Sequence, residues 1–295
     1  MDNSLVILVI LVISVISVIL VNKSSFKEVD NFIAVTYENE SKNKNTHNLI
    51  KMFKKNNFKY EVLGNGYSWS GWYGRLREYL NYLQRLDPET YVLVCDGRDV
   101  LINEDYSTFI KKAKIEYSLN KNKIIIGTEP GCCTPLNKGK YYPNNPKNKN
   151  IPVPFFPTIQ SNNIIKLYTE YMDSKSSNSS FPYLNFGLLF GKAKDLANLF
   201  LLMKIEPGDD DQSLVYKIYY EHPELLNPDY NQLIFSNAAH LNTAHIPDNM
   251  KNQPLCFYKW NGKKFENTIT NSTPSIIQTP GKNWDCYNEL LTKLL

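Results

Sequence analysis

Two short acidic segments of this 295-residue chain contain the side chains best suited to binding a cation. In the first, Asp96 and Asp99 follow the apolar run Tyr91–Cys95 and enclose Gly97 and Arg98. Two carboxylates three residues apart around a glycine can turn their oxygen atoms toward one hard divalent cation. In the alternative interpretation, Asp99 caps a turn or pairs with Arg98, and no ion is bound.

The second acidic segment is Asp209, Asp210 and Asp211, followed by Gln212 and a predicted helix over Ser213–Glu221. Acidic side chains at a helix N-terminus are stabilised by the free N–H groups and the helix dipole, so capping alone is one explanation. Three consecutive carboxylates exceed what a cap requires. Asp210 and Asp211 are therefore also candidates for contact with a cation, sugar hydroxyls or a transition state.

Aromatic and amide side chains near glycines form a further group of candidates. Trp69 and Trp72 lie in a loop of glycines and serines, where their rings could stack on a base or a sugar or could anchor the loop to the core. Asn185 precedes Phe186-Gly187 at the end of a predicted strand. Its amide could contact a sugar, or the segment could be an ordinary turn.

The elements that must position these residues alternate between strands and helices, which indicates a nucleotide-binding α/β sheet. Apolar runs predict strands at Phe32–Thr36, Tyr60–Leu63, Tyr91–Cys95, Lys123–Gly127 and Tyr183–Phe190, and helical spacing predicts helices at His47–Asn57, Arg75–Leu86, Phe109–Tyr117, Ile164–Met172, Lys194–Met203 and Ser213–Glu221. Short β segments are expected over Phe257–Ile277. Ligands of such sheets bind beyond the carboxyl ends of the strands, where Asp96 lies.

The amino terminus predicts a membrane anchor. Leu5–Val21 is apolar and uncharged, and as a helix it would be about 26 Å long, near the lower limit for crossing a bilayer. A cleaved signal peptide is the alternative, although the residues before the run are not basic. We therefore predict an anchor over residues 1–22, a linker over 23–30 and one domain over 31–295, in a single-pass protein of an endomembrane of the endoplasmic reticulum or Golgi type. Lys23 and Lys27 leave its orientation open.

Composition and motifs argue against several functional classes. The net charge is only +4, and no basic stripe is interleaved with aromatic residues, so a nucleic-acid partner is not expected. No G-x-S-x-G elbow of a hydrolase occurs. His222-Pro223-Glu224 has no plausible second histidine for a non-haem iron site. The five cysteines are odd in number and irregular in spacing, which predicts neither a disulfide framework nor a zinc site.

Taken together, these segments resemble the glycosyltransferase domain of the procollagen lysyl hydroxylase (PLOD) family, without its hydroxylase domain. The similar stretches follow the order of the family and cover nearly all of the chain after residue 30: FIAVT (32–36), EVLGNGYSWSG (61–71), RLREYLNYL (75–83), YVLVCDGRDVLI (91–102), TEPGCC (128–133), YLNFGLLFG (183–191), DDDQSLVYKIYY (209–220), NQLIF (231–235) and PSIIQTPGKNW (274–284).

The resemblance implies a GT-A fold, in which helices flank a Rossmann-like mixed sheet, together with a UDP-sugar donor and a manganese ion. It implies that Asp96 and Asp99 are metal ligands and that Asp96 also serves the bound nucleotide. Further implied roles are nucleotide contacts for Thr36 and Trp69, a part in transfer for Asp210 and Asp211, and a place near the acceptor for Asn185.

Three positions depart from the family pattern. Gln278 stands where the family has a histidine as its third metal ligand. A glutamine carbonyl can bind Mn²⁺ or Mg²⁺, but it is a weaker donor than imidazole for a transition metal, so we expect lower affinity and better tolerance of magnesium. Tyr73 replaces an expected lysine, which removes a positive charge that could face the diphosphate. Cys133, after Cys132, replaces an expected tryptophan, which predicts a reshaped acceptor pocket.

The expected function is therefore metal-dependent transfer of a hexose, glucose or galactose, from a UDP-sugar to a hydroxyl acceptor. The acceptor would be hydroxylysine-linked on collagen-like protein, or another glycan. Two alternatives remain open at this point. One is a non-catalytic, membrane-anchored protein that binds glycans or nucleotide sugars, and the other is hydrolysis of the UDP-sugar with water as the acceptor.

Overall fold

The computed structural model describes residues 31–131, 170–176, 179–239, 247–280 and 283–295. The chain divides into two units, Met1–Asn31 and Phe32–Leu295, and the fold described here is that of the second. The proposed anchor Leu5–Val21 and the cysteines Cys132 and Cys133 lie outside the described residues. None of the helices in the described ranges has the length and apolar character needed to span a bilayer.

The centre of the fold is a six-stranded sheet with strand order β2-β1-β3-β6-β5-β7. Its strands are β1 (Phe32–Tyr37), β2 (Tyr60–Leu63), β3 (Tyr91–Asp96), β5 (Ile124–Glu129), β6 (Tyr183–Lys192) and β7 (Leu226–Pro228). The pairs β1–β2, β1–β3 and β5–β7 are parallel, whereas β6 is antiparallel to both of its neighbours. The predicted mixed α/β sheet is therefore confirmed.

The described residues also form two smaller sheets. A three-stranded sheet has the order β4-β11-β8, with β4 at Val100–Ile102, β8 at Phe235–Asn237 and β11 at Ile276–Gln278, and a hairpin-like pair consists of β9 (Tyr258–Trp260) and β10 (Phe265–Asn267). In the three-stranded sheet β11 is antiparallel to β4 and parallel to β8. The short β segments expected over Phe257–Ile277 are thus present.

Helices cover both faces of the central sheet. They are α1 (Lys44–Lys55), α2 (Gly71–Leu83), α3 (Tyr106–Leu119), α4 (Ala193–Met203), α5 (Asp211–Glu221) and α6 (Trp284–Leu294), with a 3₁₀ turn at Asp248–Met250. Alternate residues of β3 show the two faces, because Leu93 and Cys95 belong to one apolar cluster and Val92 and Val94 to the other. The first cluster packs α1, α3 and α6, and the second packs α2, α4 and α5.

Two sequence-based predictions need correction. The helix predicted from Arg75 begins earlier, at Gly71, and therefore includes Trp72, which was expected in the loop. The prediction from the cysteine count was also wrong, because Cys256 and Cys286 form a disulfide. Their pairing depends on the tertiary contact of α6 with the segment before β9, which an odd count at irregular spacing does not reveal. Cys95 is free and buried, as expected.

Candidate functional site

The first acidic segment turns sharply at the end of β3. Asp96 is the last residue of that strand, and Val100 begins β4. Gly97 gives this turn a close approach to β1, because a Cβ atom there would lie only 3.1 Å from Thr36 Oγ1 and 3.2 Å from the Tyr37 carbonyl oxygen. The backbone of the turn therefore packs against the end of β1 and holds Asp96 and Asp99 at the carboxyl edge of the sheet.

Arg98, between the two aspartates, does not pair with Asp99. Its Nε and Nη2 donate to the two carboxylate oxygens of Glu38 at 2.8 and 2.7 Å. Burial would raise the pKa of Glu38, but hydrogen bonds from Arg98, the Glu40 backbone and Thr46 outweigh burial and lower it. This bidentate pair leaves Asp99 available for other contacts, which removes one alternative reading of the motif.

Gln278 reaches the same site from the opposite end of the chain. Antiparallel pairing of β11 with β4 sets Gln278 opposite Val100, and the Thr279 N–H donates to the Asp99 carbonyl oxygen at 2.9 Å. Gln278 Nε2 then lies 3.0 Å from Asp96 Oδ2 and 3.3 Å from Asp99 Oδ1. The three residues expected to bind a metal are thus brought together.

Strand β6 forms the floor under these three side chains. A Cβ atom on Gly187 would lie 2.3 Å from Gln278 Nε2 and 2.7 Å from Asp96 Oδ2. A side chain here would force the ends of Gln278 and Asp96 to shift, so glycine at 187 leaves the space in which these two side chains meet.

The donor set suits a hard cation. No group of three or more His, Cys, Asp or Glu side chains in the described residues is placed to hold a metal. The available donors are instead two carboxylates and the amide of Gln278, whose Oε1 is buried and has no hydrogen-bond partner. Burial and the charge of Asp96 raise the pKa of Asp99 to about 7. A cation would relieve this repulsion, and rotation of the amide would turn its carbonyl oxygen toward the carboxylates.

The three aspartates of the second acidic segment have different partners: Asp209 and Asp210 accept backbone hydrogen bonds, and Asp211 forms an ion pair. Asp210 is the N-cap of α5, where its Oδ2 accepts from the Ser213 N–H at 2.8 Å and from the Ser213 hydroxyl at 2.7 Å. Asp209 Oδ2 accepts from the Glu206 N–H at 2.8 Å. Only Asp210 therefore caps the helix, whereas Asp209 stabilises the turn that precedes it. Asp211, in contrast, is only 4% exposed and pairs with Arg75.

Arg75 connects the two acidic segments, a role that the sequence did not reveal. Its Nη1 lies 2.5 Å from Asp96 Oδ1, and its Nη2 donates to Asp211 Oδ2. Trp72, one turn earlier on α2, places its ring centre 4.6 Å from the guanidinium carbon. The chemically suited side chains Asp96, Asp99, Gln278 and Asp211 therefore form one contiguous site through Arg75. The helical position of Arg75 one turn after Trp72 was the only available signal.

A second buried polar group adjoins the site. Asn185 Nδ2 donates to Glu129 Oε2 at 2.9 Å and Gln212 Nε2 donates to Glu129 Oε1 at 2.7 Å, while Asn185 Oδ1 accepts from the Gly187 N–H at 2.8 Å. Burial raises the pKa of Glu129 to about 7, although both amides oppose this shift. Glu129 is not among the site residues predicted from the sequence. Its position at the end of the buried strand β5 resembles that of Asp96 on β3 and could have identified it.

The register of the sheet brings these polar groups together. The register between β5 and β6 shifts at this point, because Ile126 pairs with Leu189 whereas Gly127 pairs with Asn185. Beyond the shift Glu129 pairs with Tyr183, so the acid lies two positions along β6 from Asn185.

The two residues expected to contact a nucleotide differ in exposure. Thr36 is fully buried under Gly97, whereas Trp69 is 42% exposed. The Trp69 ring meets Trp72 edge-on at 5.2 Å and Tyr37 at 6.0 Å between centres. A shallow pocket of about 330 Å³ opens beside them, lined by Tyr37, Tyr67, Ser68, Ser70, Tyr73, Gly74, Arg77 and Glu78.

Comparisons with known proteins find similarity in structure but not in sequence. No protein-family model matches the chain, and no curated protein sequence matches it. Among solved structures, the chain is similar to a glycosyltransferase involved in the glycosylation of the major capsid of PBCV-1, with a TM-score of 0.42 and 10% sequence identity over 89% of this chain and 98% of that one. A likeness this distant does not define the activity of the chain.

Proposed function

We propose that the domain is a metal-dependent glycosyltransferase that moves a hexose, glucose or galactose, from a UDP-sugar to a hydroxyl acceptor. The observation that supports this proposal is the convergence of Asp96, Asp99 and Gln278, whose amide nitrogen lies 3.0 and 3.3 Å from the two carboxylates. The site lies at the carboxyl ends of the central strands, where open α/β sheets bind their ligands. The resemblance to the PLOD glycosyltransferase domain supports the same reaction.

In this proposal Asp96, Asp99 and the Gln278 carbonyl would hold Mn²⁺ or Mg²⁺. When bound there, the ion would neutralise the diphosphate and stabilise the charge of the leaving UDP. The residues of the chain itself orient the substrates. Arg75 pairs with both Asp96 and Asp211, so Asp211 lies near a donor whose diphosphate is at Asp96, and we assign it to the sugar side of the site.

Further roles follow from position and resemblance. Trp69 is exposed, and its neighbours Ser68 and Ser70 line a pocket of about 330 Å³, so its ring is available for stacking on the base. We assign Thr36 to the part of the site that holds the nucleotide. We assign Asp210 a role in sugar transfer and Asn185 a place near the acceptor. Thr36 and Asn185 are buried, so they would act by shaping the backbone and the polar network around the ligand.

For the full chain, we propose a membrane anchor at Leu5–Val21 and an endomembrane location, with hydroxylysine-linked collagen-like protein or another glycan as the acceptor. These assignments are supported by the sequence, since the proposed anchor lies outside the residues that the structure describes.

The decisive experiment measures UDP release from a panel of UDP-sugars by the domain from residue 31 onward, with Mn²⁺ or Mg²⁺ and with candidate acceptors. We expect release with at least one donor and a loss of about 100-fold or more in Asp96→Asn and Asp99→Asn, since each removes a charged ligand. Asp248→Asn is the control, because Asp248 is exposed and pairs with Lys251. No release with any donor, or equal rates in all three variants, would refute the proposal.

One observation favours a second possibility, binding without turnover. Gln278 supplies a neutral ligand where the PLOD pattern has histidine, which lowers the affinity expected for a transition metal. Metal-dependent binding of a UDP-sugar without release of UDP would support this reading. Release of free hexose without an acceptor product would instead identify UDP-sugar hydrolysis.

A further inference from the structure

Arg75 is a buried charge placed between two carboxylates from distant parts of the chain. It is 9% exposed and is the residue through which Asp96 of β3 and Asp211 of α5 are joined. Asp96 and Asp211 are 115 positions apart, the difference between their residue numbers. The bridge therefore fixes the distance between two elements that no local segment connects.

The charges around Arg75 show that its guanidinium group compensates buried carboxylates. The described site contains the carboxylates of Asp96, Asp99 and Asp211 around this single guanidinium group. Burial and the neighbouring charge of Asp96 would raise the pKa of Asp211, and the charge and hydrogen bond of Arg75 oppose that rise. Removing Arg75 would leave a buried carboxylate without its partner, which is strongly unfavourable.

The geometry requires arginine in particular. A guanidinium presents a planar fork of donors, so its two terminal nitrogens can bind two carboxylates at once. A lysine ammonium is a point charge on a flexible stem and cannot hold both partners in fixed positions. In addition, Arg75 Nε is buried and has no hydrogen-bond partner, so the side chain is held by Asp96, Asp211 and the Trp72 ring rather than by a complete network of its own.

We propose that Arg75 is a positioning residue for group transfer, whose fork holds the Asp211 carboxylate at the correct distance from the diphosphate end of the site at Asp96. This inference rests on the proposed glycosyltransferase function and adds a residue that acts through Asp211. Because misplacement by about 1 Å can reduce a rate by about 100-fold, the bridge controls the rate of transfer more than the affinity for the donor.

The first test compares Arg75→Lys with Arg85→Lys, a matched change at an exposed arginine just after α2. We expect Arg75→Lys to lower kcat by about 100-fold while the KM for the donor changes by less than about 3-fold. Its Kd for Mg²⁺, measured by calorimetry, should change by less than about 3-fold. Wild-type kcat in Arg75→Lys would overturn the proposal, as would recovery of kcat at saturating metal, which would assign Arg75 to metal binding.

The second test is a double-mutant cycle with Arg75→Met and Asp211→Asn. If Arg75 acts through Asp211, the double variant should lose no more activity than the worse single variant, whereas independent roles would multiply the two losses. Multiplied losses would overturn the proposal.

Thermal unfolding of the same variants separates this inference from the proposed function. Arg75→Met should lower Tm, and adding Asp211→Asn should restore part of the loss, because the unpaired buried charge is removed. If the wild type releases no UDP with any donor, the proposed function fails, and the positioning role fails with it. A partial recovery of Tm in the double variant would then still demonstrate the ion pair between Arg75 and Asp211. If the wild type is active and Arg75→Lys is equally active, only the inference fails.

Discussion

Gln278 Nε2 lies 3.0 Å from Asp96 Oδ2, although the two residues are separated by 182 positions in the chain. The contact exists because β11 pairs with β4, the strand that follows the Asp96–Asp99 turn. It places a neutral amide, with an unpaired buried oxygen, beside two carboxylates. The character of this amide determines which cation the site should prefer.

The Gln278→His variant should change the metal preference of the site. Imidazole is a better ligand than an amide oxygen for first-row transition metals, whereas Mg²⁺ prefers oxygen. We expect the ratio of Mn²⁺ to Mg²⁺ affinity, measured by calorimetry, to rise by about tenfold or more. Gln278→Ala is the control and should weaken both ions. An unchanged ratio in Gln278→His would show that residue 278 does not bind the ion.

The Gly187→Ala variant should displace the candidate metal ligands Gln278 and Asp96. The new methyl group would lie 2.3 Å from Gln278 Nε2 and 2.7 Å from Asp96 Oδ2, so both side chains must move. We expect a loss of Mg²⁺ affinity of about tenfold or more and only a small loss of stability in urea unfolding, because the atoms that must move are the ends of flexible side chains.

Gly191→Ala on the same strand provides the comparison for Gly187→Ala. Its Cβ would meet the Ile124 side chain at 3.2 Å, away from the candidate metal ligands. This variant should lose stability without losing metal affinity. Equal metal affinity in the Gly187 and Gly191 variants would contradict the arrangement described for β6.

Glu129 should make the fold less stable as the pH rises. Burial raises its pKa in the folded protein to about 7 from an ordinary value of 4.5, so the folded state retains a proton that the unfolded state loses. The destabilisation is absent below pH 4.5, grows up to pH 7 and is constant above it. A shift of this size corresponds to about 3 kcal/mol.

Glu129→Gln tests this pH dependence, since a neutral amide of the same shape cannot titrate. Relative to the wild type, the variant should gain up to about 3 kcal/mol between pH 5 and pH 8 in urea unfolding. Other raised acids, including Asp229, titrate in the same range in both proteins and cancel in the difference. A constant difference between the two proteins across this range would contradict the raised pKa.

The Cys256–Cys286 disulfide should contribute to stability in oxidising conditions. It closes a loop with a sequence separation of 30, for which the chain-entropy model gives about 3–4 kcal/mol. The double variant Cys256→Ser/Cys286→Ser should lose about this amount, and a reducing agent should remove the difference from the wild type. Disulfides persist in secretory compartments, so this bond agrees with a lumenal position of the domain in the proposed endomembrane location.

Alkylation of the unfolded, non-reduced protein checks this pairing directly. Cys256 and Cys286 should remain unmodified while Cys95, which is a free thiol, reacts. Modification of all three cysteines without prior reduction would show that the disulfide does not form.

Local sequence determined most of the secondary structure and part of the site. The apolar run Tyr91–Cys95 specified the buried strand β3, and the short separation of Asp96 and Asp99 specified a carboxylate pair at its end. Helical spacing also located α5, predicted over Ser213–Glu221, although the helix begins two residues earlier, at Asp211, with Asp210 as its N-cap. These features depend on residues a few positions apart, so propensity and periodicity are sufficient to predict them.

Tertiary structure alone decided which distant residues meet. The bridge from Arg75 to Asp96 and Asp211, the approach of Gln278, and the burial of Glu129 against Asn185 all depend on strand pairing and helix packing. Such contacts join segments far apart in the chain and leave no periodic signal in either one. The residue types in the site could therefore be predicted from the sequence, whereas their partners, charges and constraints were set by the packed fold.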